Sequence, residues 1–163
     1  MKLIPSLICG AALWAGIALA QSPVTLTIDA RSPGAVIPAD FIGLSFGMRA
    51  LLPDKAGSHF FSATNKPLIT LFQNVGLRHL RMGGTTVESP PTTAIPGEPE
   101  IDDLFAFAKA AGVDKIIYSL RLLETDPALH YSATNAAIAK YIWSHYRPYL
   151  ESFAIGNEPD LKR

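Results

Sequence analysis

The sequence predicts an α/β fold in which strands and helices alternate around a parallel sheet. Three observations predict it. Short apolar runs rich in β-forming residues alternate with amphipathic stretches of helical period. Glycines punctuate the ends of these runs, where strands and helices stop. The connections are long enough to hold a helix each, as right-handed crossovers between parallel strands require. With 163 residues, 14 basic against 14 acidic, and 48% hydrophobic residues, the chain fits one ordinary globular domain. Its balanced charge gives no sign of a polyanion partner, so nucleic acid is not implied.

Residues 1–20 read as a cleaved signal peptide. Lys2 supplies a positive start, the following residues are nearly all apolar, and Ala18-Leu19-Ala20 before Gln21 forms a small-x-small cleavage site. The mature chain is therefore expected to be secreted or periplasmic, with a membrane as partner only if the segment stays as an anchor. Pro5, Gly10 and Gly16 weaken that segment as a spanning helix. Cys9, the single cysteine, lies inside it. A mature chain without disulfides must rely on its core.

Residues 21–35 are expected to form one extra amino-terminal strand and a linker. Residues 24–30 alternate apolar and polar, and Arg31-Ser32-Pro33-Gly34 breaks the pattern. Residues 36–163 carry the main alternation. The run from Phe41 to Met48 suits a strand covered on both faces. Asn65 can cap a helix whose Leu68, Leu71, Phe72 and Val75 share a face, with Gly76 at its end. Arg78 to Met82 forms a strand that stops at Gly83-Gly84. A Pro- and Thr-rich loop follows, and at residues 85–100 it is longer than usual connections. Asp102 and Asp103 are placed in the first turn of a second helix, with Ile101, Leu104, Phe105 and Ala108 as its buried stripe and Gly112 at its stop. Residues 115–123 form a third strand. Ser132 caps a third helix presenting Ile138, Tyr141, Ile142 and His145, and residues 150–155 form a fourth, buried strand. Tyr118 and Trp143 are expected as core or helix-packing aromatics.

Period alone does not separate a barrel from a doubly wound sheet. The first strand-to-helix turn lacks a Gly-x-Gly-x-x-Gly fingerprint, which gives no support to a dinucleotide fold. No phosphate-cradling loop, His cluster of metal-ligand spacing or Gly-x-Ser-x-Gly elbow is present, so the chemistry is sought at strand ends. There, Gly156-Asn157-Glu158-Pro159-Asp160 presents an amide and a carboxylate immediately after the fourth strand. Hydrolysis of a glycosidic bond needs one carboxyl group to protonate the leaving oxygen and a second across the sugar, about 5 to 5.5 Å away in a retaining enzyme. Glu158 suits the first role, and Asn157 can hydrogen-bond a sugar hydroxyl. A plain surface turn would use the same residue types.

Four stretches in order, Phe41 to Phe46, Leu77 to Thr85, Lys115 to Leu120 and Ile155 to Asp160, resemble the amino-terminal half of glycoside hydrolase family 79, the group of β-glucuronidases and heparanase. The resemblance implies the first half of a (β/α)8 TIM barrel, truncated after its fourth strand, which typically takes about 250 residues when complete. It implies Glu158 as general acid/base and Asn157 as the amide beside it. Arg81 matches an arginine near the nucleophile carboxylate, against a salt bridge in the barrel bottom. Glu88 matches an aspartate that touches substrate, against an exposed loop glutamate. His79 is a candidate interior residue, or a packed and hydrogen-bonded one. Gly47 and Ser119-Leu120-Arg121 depart from the family's pattern, and a cationic Arg121 at the rim would alter the sugar subsite.

The resemblance also implies that the nucleophile, a glutamate on a seventh strand, is absent from this chain. The expected function is thus the first half of a retaining glycosidase acting on a β-linked uronic acid or related sugar, inactive by itself. The alternative is a noncatalytic secreted or anchored remnant that binds carbohydrate. Neither requires a metal or cofactor, since two carboxyl groups suffice for the chemistry.

Overall fold

The structure, a computed structural model, describes residues 24–88, 94–123 and 131–161. The chain divides into two units, residues 1–35 and 36–163. Within the first, residues 24–29 form neither helix nor strand, and Val24, Leu26 and Ile28 are more than four-fifths exposed. The extra strand expected at residues 24–30 is therefore not formed. Alternation makes a strand only where a neighbouring strand supplies the ladder hydrogen bonds, and no described residue pairs with this segment. The break at Arg31 is real: Ser32 N–H donates to the Asp29 carbonyl at 3.2 Å, closing a turn.

Among its described residues, the second unit contains four strands and three α-helices. β1 (Gly43–Gly47), β2 (His79–Gly83), β3 (Lys115–Leu120) and β4 (Leu150–Ile155) form one parallel sheet in the order β1-β2-β3-β4. α1 (Lys66–Val75), α2 (Glu98–Ala111) and α3 (Tyr131–Tyr146) fill the three crossovers. Spatial order equals chain order, with no reversal such as a doubly wound sheet requires.

Why the helices stop and start where they do is local chemistry. Asn65 Oδ1 accepts the Leu68 N–H at 3.3 Å, Pro67 fills the first turn without leaving a donor orphaned, and Gly76 adopts φ 71° to end α1. α2 begins earlier than expected, at Glu98. The Glu100 carboxylate accepts the Gly97 N–H at 2.7 Å, which is half of a capping box, since glycine has no side chain to answer with. Glu98 and Glu100, not Asp102 and Asp103, therefore occupy its first turn. Ser132 lies inside α3, whose described residues begin at Tyr131. Residues 124–130, which include the segment before it, lie outside the described residues.

One face of the sheet is buried. Leu80 and Met82 of β2 and Ile116 and Tyr118 of β3 share a single core with Ile69 and Phe72 of α1, Leu104 and Phe107 of α2, and Ile138 and Ile142 of α3. All three helices thus cover the same face. At its centre, Phe61, Phe72 and Phe107 meet edge to face, with centroids 5.0 to 6.5 Å apart. The expected α1 stripe is shifted: Ile69 and Phe72 are buried, whereas Leu71 and Val75 are about half exposed. In α2 the expected stripe is buried as a whole. In α3, His145 is exposed, and Trp143 is 53% exposed on the outer surface with Arg147 over its ring. Tyr118 is a core aromatic.

β1 and β4 are the edges of the sheet, so neither is covered as expected. Leu44 and Ile155 are 46% and 61% exposed, because only one neighbour flanks each strand. Between Ile116 and Ile117 the pairing to β4 skips a residue: Ile116 pairs with Leu150 and Ile117 with Ser152. Glu151 is the extra residue of this bulge, and it sets which side chains of β4 face which way.

Candidate active site at the carboxyl rim of the sheet

The uncovered face carries small and polar residues. Alternation places Ser45 of β1 and Arg81 of β2 on this face, and the two are register partners. Arg81 runs along the sheet toward the carboxyl ends of the strands. Its Nη1 donates to Ser45 Oγ at 3.1 Å and its Nη2 to Asn157 Oδ1 at 3.1 Å. Asn157 in turn donates from Nδ2 to Glu158 Oε2 at 3.1 Å. A polar chain therefore joins β1, β2 and the turn after β4.

Glycines make this chain possible. A Cβ at Gly83 would lie 3.1 Å from the Arg81 guanidinium and 2.3 Å from Ser119 Oγ, so only glycine lets Arg81 lie flat there. Ser119 Oγ is buried and has no hydrogen-bond partner among the described residues. Gly156 adopts φ 71°, and its N–H donates to the Leu120 carbonyl at 2.7 Å, closing β4 against β3. A Cβ there would sit 2.7 Å from Leu122 Cβ.

Glu158 has φ 48°, the one positive φ outside glycine among the described residues. The left-handed region costs a side-chain-bearing residue on the order of 1 kcal/mol or more. Pro159 adds to it, because proline restricts the residue before it to extended backbone. The result is an exposed carboxylate held at the rim. Asp160 follows in a short 3-10 turn, Pro159–Leu161, and is also exposed.

Glu88 is elsewhere and does something different. It is only 5% exposed, in a 3-10 turn over Thr85–Glu88, so the exposed-loop reading is overturned. Its Oε1 accepts the Leu122 N–H and its Oε2 the Leu123 N–H, both at 2.9 Å. Glutamate rarely buries, but two convergent backbone donors satisfy this carboxylate. Oε1 would also lie 3.0 Å from a Cβ at Gly156. Glu88 thus bolts the β2 and β3 loops together beneath the turn that carries Asn157 and Glu158.

Arg121 is buried as well: its Nε donates to the Val87 carbonyl at 2.6 Å and its guanidinium lies over the Tyr131 ring at 4.9 Å. It is part of the same packing and not an open rim cation. His79 approaches the Asp40 carbonyl through Nδ1 at 3.2 Å, half-buried, as a packed histidine does.

Of the sequence-derived site residues, Arg81, Asn157 and Glu158 come together, and Glu88 lies beneath them. Ser45 belongs to the same chain of contacts and was missed, because only the sheet register reveals that it faces Arg81. No group of three metal-ligating side chains occurs among the described residues, and no helix among them is long and apolar enough to cross a membrane. Residues 1–23, which hold the expected signal peptide, lie outside the described residues. The fold and site define a singly wound, parallel α/β sheet with a polar chain at its carboxyl rim. No family model, curated protein or solved structure matches the chain.

Proposed function

We propose that the chain is the amino-terminal half of a retaining glycoside hydrolase on a (β/α)8 barrel, of the β-glucuronidase and heparanase kind, with Glu158 as general acid/base. The observation that carries this reading is the strained backbone of Glu158 at the carboxyl end of β4, tied through Asn157 to Arg81. Strain of this kind is retained where a side chain has to be aimed. Sequential strand order with helices on one face supports the barrel, since that is how half of one is wound.

In this reading Glu158 protonates the glycosidic oxygen as the bond to the anomeric carbon breaks, then takes a proton from the attacking water in the second step. Asn157 accepts the Arg81 cation's hydrogen bond at its carbonyl, which polarises the amide and strengthens its Nδ2 as a donor. That donor holds the Glu158 carboxylate in the free state and can turn to a sugar hydroxyl when substrate enters. The nucleophile carboxylate comes from sequence other than residues 24–161, and the substrate is a β-linked uronic acid or related sugar.

The test reads the coding DNA past Arg163 and, where an open frame follows, assays the joined protein on an aryl β-glucuronide. Turnover is expected from the joined protein and not from residues 1–163 alone. Glu158→Gln should lower the rate by about 10²- to 10⁴-fold for a poor leaving group and much less for one that needs no protonation. Turnover indifferent to Glu158→Gln for both leaving groups would remove Glu158 from the mechanism. Binding of the glucuronide without turnover by the joined protein would favour a noncatalytic carbohydrate-binding role.

A further inference from the structure

A hollow in the second unit lies apart from Glu158, which is not among its lining residues. It is a cleft of about 780 Å³ in the segment after β1, lined among others by Phe46, Arg49, Lys55, His59 and Phe60. That volume falls in the range of about 300–1,000 Å³ usual for small-molecule sites.

Its walls are fixed before any ligand arrives. Asp54 Oδ1 accepts the N–H groups of Ala56 and Ser58 at 2.8 and 2.9 Å, so this carboxylate is turned into its own loop. His59 is bonded through Nδ1 to the Asp103 carboxylate, and its Nε2 lies 3.8 Å from Glu100, which ties the cleft to α2. Asn65 donates from Nδ2 to the Phe60 carbonyl at 2.9 Å. The Arg49 backbone is held by Thr86 Oγ1 at 3.2 Å.

The rest of the lining includes two cations and an exposed aromatic ring. Neither Arg49 nor Lys55 forms an ion pair among the described residues. Phe60 is 45% exposed, packed edge to face on Phe61 with centroids 5.1 Å apart. An arginine fork and an ammonium each recognise a carboxylate, and an exposed phenyl ring accepts the flat or apolar face of a ring.

We propose that this cleft is a binding site for a ring compound bearing a carboxylate, its charge held by Arg49 and Lys55 and its ring by Phe60. The site stands whether or not the chain belongs to a glycosidase. Two kinds of compound share that chemistry, aromatic acids and sugar acids, and the experiment separates them.

The full chain is titrated with 2-naphthoate, followed by its fluorescence, and with glucuronate, followed by calorimetry. Saturable binding of at least one is expected, weakening as salt is added. Arg49→Gln and Lys55→Gln should each weaken it about tenfold, the scale of one lost charge-assisted hydrogen bond. 2-Naphthamide, which lacks the charge, should bind at least tenfold more weakly than 2-naphthoate. Both replaced residues are surface-exposed or at the cleft edge, so an unchanged urea midpoint confirms that the variants fold. Lys140→Gln, on the exposed side of α3, should leave binding as it is. Tighter binding of glucuronate identifies a sugar-acid site and tighter binding of 2-naphthoate an aromatic-acid site. No saturable binding of either acid, or binding unchanged in the Arg49→Gln, Lys55→Gln double variant, overturns the proposal.

Discussion

The two faces of the sheet are built from alternate residues of the same strands, yet they obey different rules. On the covered face, Leu80, Met82, Ile116 and Tyr118 are at most 1% exposed and pack on three helices. On the other, Ser45, Arg81 and Ile117 remain partly or fully accessible, and Arg81 reaches across β3 to Asn157. The difference teaches where stability and chemistry reside. Apolar burial on one side holds the strands in register, which leaves the other side free to carry a polar chain that contributes little to folding.

The largest effect should therefore come from the covered face. Phe107 is fully buried among Phe61 and Phe72, so Phe107→Ala removes a ring from the aromatic cluster and leaves a cavity. A loss of about 3–5 kcal/mol is expected in urea unfolding. Arg81→Met, on the open face, forfeits two hydrogen bonds that water can replace, and about 1 kcal/mol or less should be lost. Comparable losses for the two variants would mean that the open face is part of the folding core, and the contrast between the faces would fail.

Glu88 sharpens the comparison, because it is a charged side chain on the buried side of a loop. Removing its carboxylate in Glu88→Ala leaves the Leu122 and Leu123 N–H groups without their acceptor. About 1–3 kcal/mol is expected for the two part-buried donors together, and the turn at Gly156 above them should loosen. Amide hydrogen exchange reads this directly: Leu122, Leu123 and Gly156 should exchange faster while Met82 and Ile116 keep their protection. Unchanged exchange at Leu122 and Leu123 would show that Glu88 is no brace.

Much of this organisation is legible in the residues. Helix ends were readable at Asn65, Gly76 and Gly112 because caps are local chemistry, and α2's buried stripe was readable because one dense apolar face admits one solution. What sequence misread depended on neighbours. Residues 24–30 alternate as a strand should, but no partner strand is present in the described chain to pair with them. β1 and β4 look buried by composition and are edges by topology. The β4 bulge did leave a trace. Leu150 and Phe153, three apart, would lie on opposite faces of a regular strand, yet both pack on the core; only an extra residue between them allows it. For the site, Asn157 and Glu158 were visible as a motif, whereas the burial of Glu88 was not. Its donors are backbone groups 34 and 35 residues away, and backbone groups carry no sequence signature.

The smallest expected effect concerns the seam between α2 and α3 beneath the covered face. Asp102 Oδ1 accepts hydrogen bonds from Tyr141 Oη at 2.7 Å and Tyr146 Oη at 2.6 Å, while the Tyr146 ring stacks on Phe105 with centroids 4.2 Å apart. The hydrogen bond to Asp102, followed by desolvation and by the charges of Asp102 and Glu98, pushes the Tyr141 phenol up to about 12. Burial, then the same carboxylate, pushes Tyr146 up further. An unfolded tyrosine ionises near pH 10, or about two units lower than folded Tyr141. The folded state therefore holds these protons more tightly, and their contribution is complete below about pH 10 and is lost as pH rises toward about 12. Urea midpoints measured between about pH 9 and pH 11.5 should fall with pH in the native chain and fall less steeply in Tyr141→Phe, which has no proton to lose. Arg81→Met should keep the native slope, because nothing on the open face touches this seam. Equal slopes for the native chain and Tyr141→Phe would show that the Asp102 contact does not survive in solution, and the seam would then rest on the Phe105–Tyr146 stack and the apolar residues beneath it.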